Sequence, residues 1–143
     1  MIVALIDDQL LGQVLRGRTP RSLASKDLYT TGYWYVRLCR AVRVADERTG
    51  VFSRPFAELP PELREKAVNA VLELPANIGL ISLQELAPTI AGLRQRHQLN
   101  ILSIEALAAA TRLGAQVFLS ASSPLLVNAL QQEGLRVNVS HSE

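Results

Sequence analysis

Short apolar runs and helix-spaced apolar stripes alternate along this chain, and that alternation predicts its elements. Ile2-Val3-Ala4-Leu5-Ile6 is a continuous apolar run, the pattern of a strand covered on both faces. Asp7-Asp8 ends it. Leu10, Leu11, Val14 and Leu15 then recur at helical spacing, with Asp8 a fair N-cap. Gly17, Thr19 and Pro20 break that helix. Arg16 to Thr31 reads as a basic loop with room for a short helix. Tyr33 to Ala45 predicts a helix with Trp34, Leu38, Ala41 and Val42 as its apolar stripe, and Thr49-Gly50 marks a turn. Pro60-Pro61 opens a helix that runs to about Leu74, where Pro75 stops it.

The second half repeats the alternation. Ile78 to Ile81 predicts a strand, and Leu83 to His97 a helix with Pro88 early in it. Ser103 can N-cap a helix over Ile104 to Leu113, and Gly114 follows where a left-handed residue ends a helix. Val117-Phe118-Leu119 predicts a strand, Pro124 to Glu133 a helix stopped by Gly134, and Leu135 to Val139 a last strand. Strands alternating with helices imply a three-layer α/β/α sandwich with a mainly parallel central sheet. Residues 1–139 read as one domain and 140–143 as a flexible tail.

Composition narrows the picture. The chain has 143 residues, 48% of them apolar but only 5% aromatic, so aliphatic side chains must fill the core. No apolar run approaches the roughly 20 residues of a membrane span, and Ile2 to Ile6 is too short for a secretion signal. Cys39 is the single cysteine, so no internal disulfide forms and a reducing cytoplasm is the expected compartment. The net charge of +2 is unevenly spread. Between Gly12 and Arg54 lie nine basic and three acidic residues, leaving six basic and ten acidic elsewhere. A basic third suits a polyanion, an acidic partner, or simply a solvated surface. Gly-rich phosphate loops, paired cysteine ligands and a Ser-His-Asp set are all missing.

In open parallel sheets, ligands bind beyond the carboxyl ends of the strands. Asp7 and Asp8 follow the first strand, Glu105 sits in the first turn of a helix, and Ser120 and Ser122 follow a later strand. Carboxylates converging there would suit a hard divalent cation, which can polarise a phosphodiester and activate water. Each of these residues also has a plainer explanation. Acids favour the positive end of a helix whatever the function, which covers Asp7, Asp8 and Glu105. Ser120 and Ser122 are ordinary loop formers without a neighbouring base. His97 and His141 lie far apart, and a metal site needs several convergent donors. Cys39 reads as a small buried hydrophobe. Trp34, with Tyr33 and Tyr35, can stack on bases but more commonly anchors a helix in a core or interface.

Four segments carry a family resemblance. Ile6-Asp7-Asp8-Gln9-Leu10-Leu11-Gly12-Gln13-Val14-Leu15 resembles the opening of the PIN-domain family of metal-dependent ribonucleases, where a strand ends in an Asp that leads into a helix. Thr31 to Leu38 is similar to the family's next segment, whose helix usually carries a Glu. Leu102 to Ala110 is similar to the later Ala-rich helix that begins with an Asp, and Leu113 to Ser122 to the following strand with its terminal Thr-x-Asp. The likeness is most specific from Leu99 to Val139 and vague between Val44 and Ala76.

The resemblance implies a site and a role. Asp7 matches the first acid and Glu105 the third, with one extra methylene, so these two would be the catalytic and metal-holding residues for Mg²⁺ or Mn²⁺. Asp8 is a possible extra acid, and Glu85 or Glu58 could fill in if the alignment shifts. Arg37 stands where the second acid belongs and could neutralise Asp7 by an ion pair; Ser122 stands at the fourth. Loss of ligands weakens a metal site, since even changes beyond the ligands cost roughly 10- to 100-fold. The expectation is therefore a protein related to toxin–antitoxin ribonucleases that binds RNA or a partner with weakened or lost cleavage. Arg16, Arg18, Arg21, Arg37 and Arg40 would be its RNA-binding residues. The alternative is an active Mg²⁺- or Mn²⁺-dependent endoribonuclease toxin using Asp7 and Glu105. The resemblance also implies a small antitoxin-like partner and a homodimer.

Overall fold

Five short strands build one sheet: Val3–Ile6 (β1), Asp27–Thr30 (β2), Ile78–Leu80 (β3), Gln116–Leu119 (β4) and Val137–Val139 (β5). Their order is β3-β2-β1-β4-β5, and every pairing is parallel. A computed structural model describes residues 2–43 and 53–140. The expected turn at Thr49-Gly50, the end of the helix at Val44 and Ala45, and His141 lie outside the described residues. The helices are Asp8–Leu15 (α1), Gly32–Arg43 (α2), Arg54–Ala57 (α3), Pro61–Leu72 (α4), Leu83–Leu93 (α5), Ile101–Leu113 (α6) and Pro124–Gln132 (α7).

β1 is central because its residues are apolar on both faces: Leu5 pairs with Tyr29 on one side and Val117 on the other. The period of two along each strand sorts the core into two layers. Leu5, Val117 and Leu119 face the helices α5, α6 and α7. Ala4, Ile6 and Phe118 face α1, α2, α3 and α4. α6 is buried continuously from Ile104 to Ala110, as expected of a helix that is apolar all round. Its alanines let it lie close to the sheet. The three-layer α/β/α arrangement with a parallel sheet is thus the observed fold. Among the described residues no helix is long and apolar enough to cross a membrane.

Several boundaries differ from the sequence-based expectations. The stretch read as a basic loop contains β2, preceded by a single 3-10 turn at Arg21–Leu23. Asp27-Leu28-Tyr29-Thr30 has no apolar run; its extended form comes from pairing with β1 and β3. Ser25 enters that strand with φ +62, a left-handed conformation rarely adopted by serine. α3 has no counterpart among the expected elements. α5 stops at Leu93 rather than His97, because Arg96 and His97 turn away to hold Glu133 at the end of α7. α6 begins at Ile101, capped by Asn100, whose side chain accepts the N–H of Ser103 at 2.9 Å. Ser103 is therefore not the cap, and Glu105 lies in the second turn. Gly114 does take the left-handed conformation, with φ +61. The expected tail residue Ser140 donates its N–H to the Leu119 carbonyl at 2.8 Å, beside β4.

Candidate functional site

The sheet order locates a crevice. The chain moves outward from β1 to β2 and β3, then crosses back to place β4 on the other side of β1. The order therefore reverses between β1 and β4, and a crevice opens at their carboxyl ends. A cleft of about 240 Å³ lies there, with Asp7, Asp8, Trp34, Arg37, Ser120 and Ser122 among its lining residues.

Asp7 is the N-cap of α1, one residue earlier than the sequence suggested. Its Oδ1 accepts the N–H of Leu10 at 3.0 Å. Its Oδ2 accepts both the N–H and the hydroxyl of Ser120, each at 2.7 Å. The carboxylate thereby ties the end of β1 to the end of β4. It is 6% exposed. Burial raises its pKa, while the hydrogen bonds from Ser120 and Leu10 and the more distant Arg37 charge oppose the rise.

Asp8 is the first residue of α1 and is 4% exposed. Its Oδ1 accepts the N–H of Gln9 at 2.9 Å. Its Oδ2 is buried with no hydrogen-bond partner, although Arg37 Nε lies 3.3 Å away, close enough for an ion pair. Burial lifts the Asp8 carboxyl to about 6, with the Asp7 charge adding to the rise and Arg37 opposing it. The side chain of Arg37 is 47% exposed, so it reaches from solvent over the cleft. It pairs with Asp8, not with Asp7 as the sequence suggested.

Glu105 is 1% exposed and does not line the cleft. Its Oε1 accepts the N–H of Tyr33 at 2.9 Å, in the first turn of α2. Thr31 Oγ accepts the N–H of Trp34 nearby, at 3.2 Å. A carboxylate here meets orphan N–H donors and the positive end of the helix dipole. Gly32 leaves the space for it: a Cβ there would sit 3.2 Å from Glu105 Oε2.

The structure therefore brings Asp7 and Asp8 together on the cleft and gives Glu105 another partner. Among the described residues, no group of three or more His, Cys, Asp or Glu is placed to hold a metal ion. Both oxygens of Asp7 already receive donors, and a guanidinium stands beside Asp8. This donor set does not fit a resident Mg²⁺ or Mn²⁺, which commonly needs carboxylate oxygens open to it. Glu58 and Glu85 are exposed and lie outside the cleft lining.

The basic residues divide between two ends of the sheet. Arg37 lines the cleft, and the exposed Arg40 follows it on α2. Arg16, Arg18 and Arg21 come after α1 has run back towards the amino ends of the strands. Arg16 lies over the Phe56 ring, 5.2 Å from its centroid, and burial lowers its pKa. Trp34 is buried in the core and also walls the cleft, while Tyr33 is partly exposed. Cys39 is a half-buried free thiol. His97 pairs with Glu133 at 2.7 Å.

The Arg37–Asp8 contact was the feature hardest to foresee. Its signal was positional: once Asp7 caps the helix, Asp8 must point elsewhere. Compared with models of known protein families and with curated protein sequences, the chain matches none, so the PIN resemblance rests on the four segments quoted above.

Proposed function

We propose that this chain is a PIN-like RNA-binding protein with metal-dependent cleavage weakened or lost. The observation that carries this reading is the Arg37 guanidinium beside Asp8 in the cleft at the switch point of the sheet. A cation belonging to the chain weakens the negative field that would draw a divalent ion. It also leaves positive charge at the mouth, with Arg40 beyond it, where guanidinium groups suit phosphate oxygens. Serine hydroxyls and the Trp34 wall offer further contacts inside.

Labelled single-stranded and structured RNAs, incubated with Mg²⁺, Mn²⁺ or EDTA, test the proposal. The expected result is a gel shift that weakens as salt rises, without cleavage. An Arg37→Gln/Arg40→Gln variant should bind at least roughly tenfold more weakly and show a shallower salt dependence. Metal-dependent cleavage abolished by Asp7→Asn would instead favour an endoribonuclease centred on Asp7 and Asp8. Absence of both binding and cleavage would sink the RNA reading and leave the antitoxin-like protein partner.

A further inference from the structure

We infer that the flank formed by α1 and α2 is a track of cations along which a single RNA strand lies, from the cleft mouth to the opposite end of the sheet. The inference rests on the proposed RNA binding and extends it beyond the cleft.

The track begins on α2. Arg37, Arg40 and Arg43 are all exposed and stand three residues apart. Each step advances about 4.5 Å along the helix axis and turns about 60° around it. That advance is of the same order as the roughly 3.4 Å per phosphate along a nucleic-acid strand. α1 and α2 both leave the carboxyl ends of their strands and pack against each other. Arg16, at the far end of α1, joins the row. Its Nη1 and the Leu38 Cδ1 of α2 both lie within 3.3 Å of the point where a Cβ on Gly12 would sit. Arg18 follows, exposed, after the left-handed Gly17.

These charges are held in place without being neutralised. Arg16 is fixed over the Phe56 ring rather than by a carboxylate, and burial and then the Arg18 charge lower its pKa. Among the described residues, no carboxylate forms an ion pair with Arg16, Arg18, Arg40 or Arg43. The negative ends of the helix dipoles attract these cations too. That attraction amounts to roughly half an elementary charge per helix, against two guanidinium groups at each end. Successive phosphates supply the remaining counter-charge, and guanidinium donors match their oxygens. The row is single, so it follows one backbone. Tyr33, 38% exposed at the head of α2, offers a ring on which a base can stack.

Fluorescence anisotropy of labelled oligouridylates of about 4 and about 16 nucleotides, the span of single-strand site sizes, tests the track. The full chain in EDTA should bind the 16-mer with a steeper salt dependence than the 4-mer. Arg18→Gln/Arg43→Gln changes two exposed positions, so the fold should be kept. It should reduce the 16-mer's salt slope by about 1.4, two contacts at about 0.7 each. Arg18→Lys/Arg43→Lys should retain the slope. Arg94→Gln/Arg112→Gln removes as much charge from the helical layer on the other face of the sheet and should leave the slope unchanged. An unchanged slope in Arg18→Gln/Arg43→Gln overturns the track, as does an equal fall in both Gln pairs. Equal slopes for the two RNAs in the wild type overturn it as well. A slope that only Arg37→Gln/Arg40→Gln reduces leaves the cleft reading standing and the track refuted. If the wild type binds neither RNA, the proposed function falls and the track with it.

Discussion

Asp7 and Asp8 are neighbours with similar burial, yet their surroundings give them opposite roles in stability. Asp7 accepts three hydrogen bonds and joins two strand ends. Replacing it with Ala removes a helix cap and leaves the Ser120 N–H without its acceptor. Asp7→Ala should therefore cost roughly 1–3 kcal/mol in urea unfolding, reduced somewhat by relief of carboxylate burial. Asp8 is the opposite case. Its folded pKa lies near 6, above the ordinary 3.8, so its contribution is full at low pH and lost as pH rises through 6. Asp8→Asn should thus stabilise the fold by roughly 1–3 kcal/mol at pH 7.5 and give little gain near pH 4. A loss of stability at pH 7.5 would contradict the electrostatic account. The sequence marked both acids but not this division. Capping depends on backbone angles, and the choice of Asp7 over Asp8 follows from where β1 ends.

At the scale of elements, the legible ones carried their own periodicity. β1, α4, α6 and α7 follow apolar patterns that the chain displays locally. β2 was hidden because its four residues acquire their state from neighbouring strands. One close approach makes that pairing testable. Gly79 of β3 lies opposite Tyr29 of β2, and a Cβ on it would meet the Tyr29 ring at 2.4 Å. Gly79→Ala should lower Tm, and adding Tyr29→Ala should make the extra methyl nearly harmless, a coupling that a double-mutant cycle would measure. The start of α2 depends likewise on a residue 72 positions away, since Glu105 receives the Tyr33 N–H. Glu105→Ala should cost roughly 2–4 kcal/mol through a buried void and an unsatisfied donor. Glu105→Gln, which keeps an acceptor, should cost much less. Equal losses in the two variants would argue against the capping role. The sequence identified Glu105 but not its partner, because a contact across two layers has no local signature.

At the scale of the molecule, the arrangement of charge differs from the arrangement along the chain. The basic third is contiguous in sequence but splits around α1, so Arg37 and Arg16 serve different ends of the sheet. The pH response is also a property of the whole. Glu133, held by Arg96 and then His97, has its pKa lowered to about 2 from 4.5, so its contribution is present above 4.5 and lost as pH falls towards 2. Asp7 and Asp8 act in the reverse sense, losing stability as pH rises through their raised values. These groups together predict a maximum of Tm between about pH 4 and 5. Asp8→Asn should flatten the alkaline limb and Glu133→Gln the acid limb in a pH series of thermal melts.

The lacing of the strand ends has a kinetic consequence. The hydroxyl of Thr30 donates to the Ile6 carbonyl at 2.9 Å, and Asp7 clasps Ser120 across the other side of β1. The frame around the cleft is thus stitched across three strands, with the half-exposed Arg37 side chain lying over it. A guest would meet a rigid doorway and would not have to wait for strand ends to part, a collective motion of microseconds to milliseconds. Entry should then look like single-step association, with the amides of Leu10 and Ser120 staying slow to exchange whether or not the guest is present.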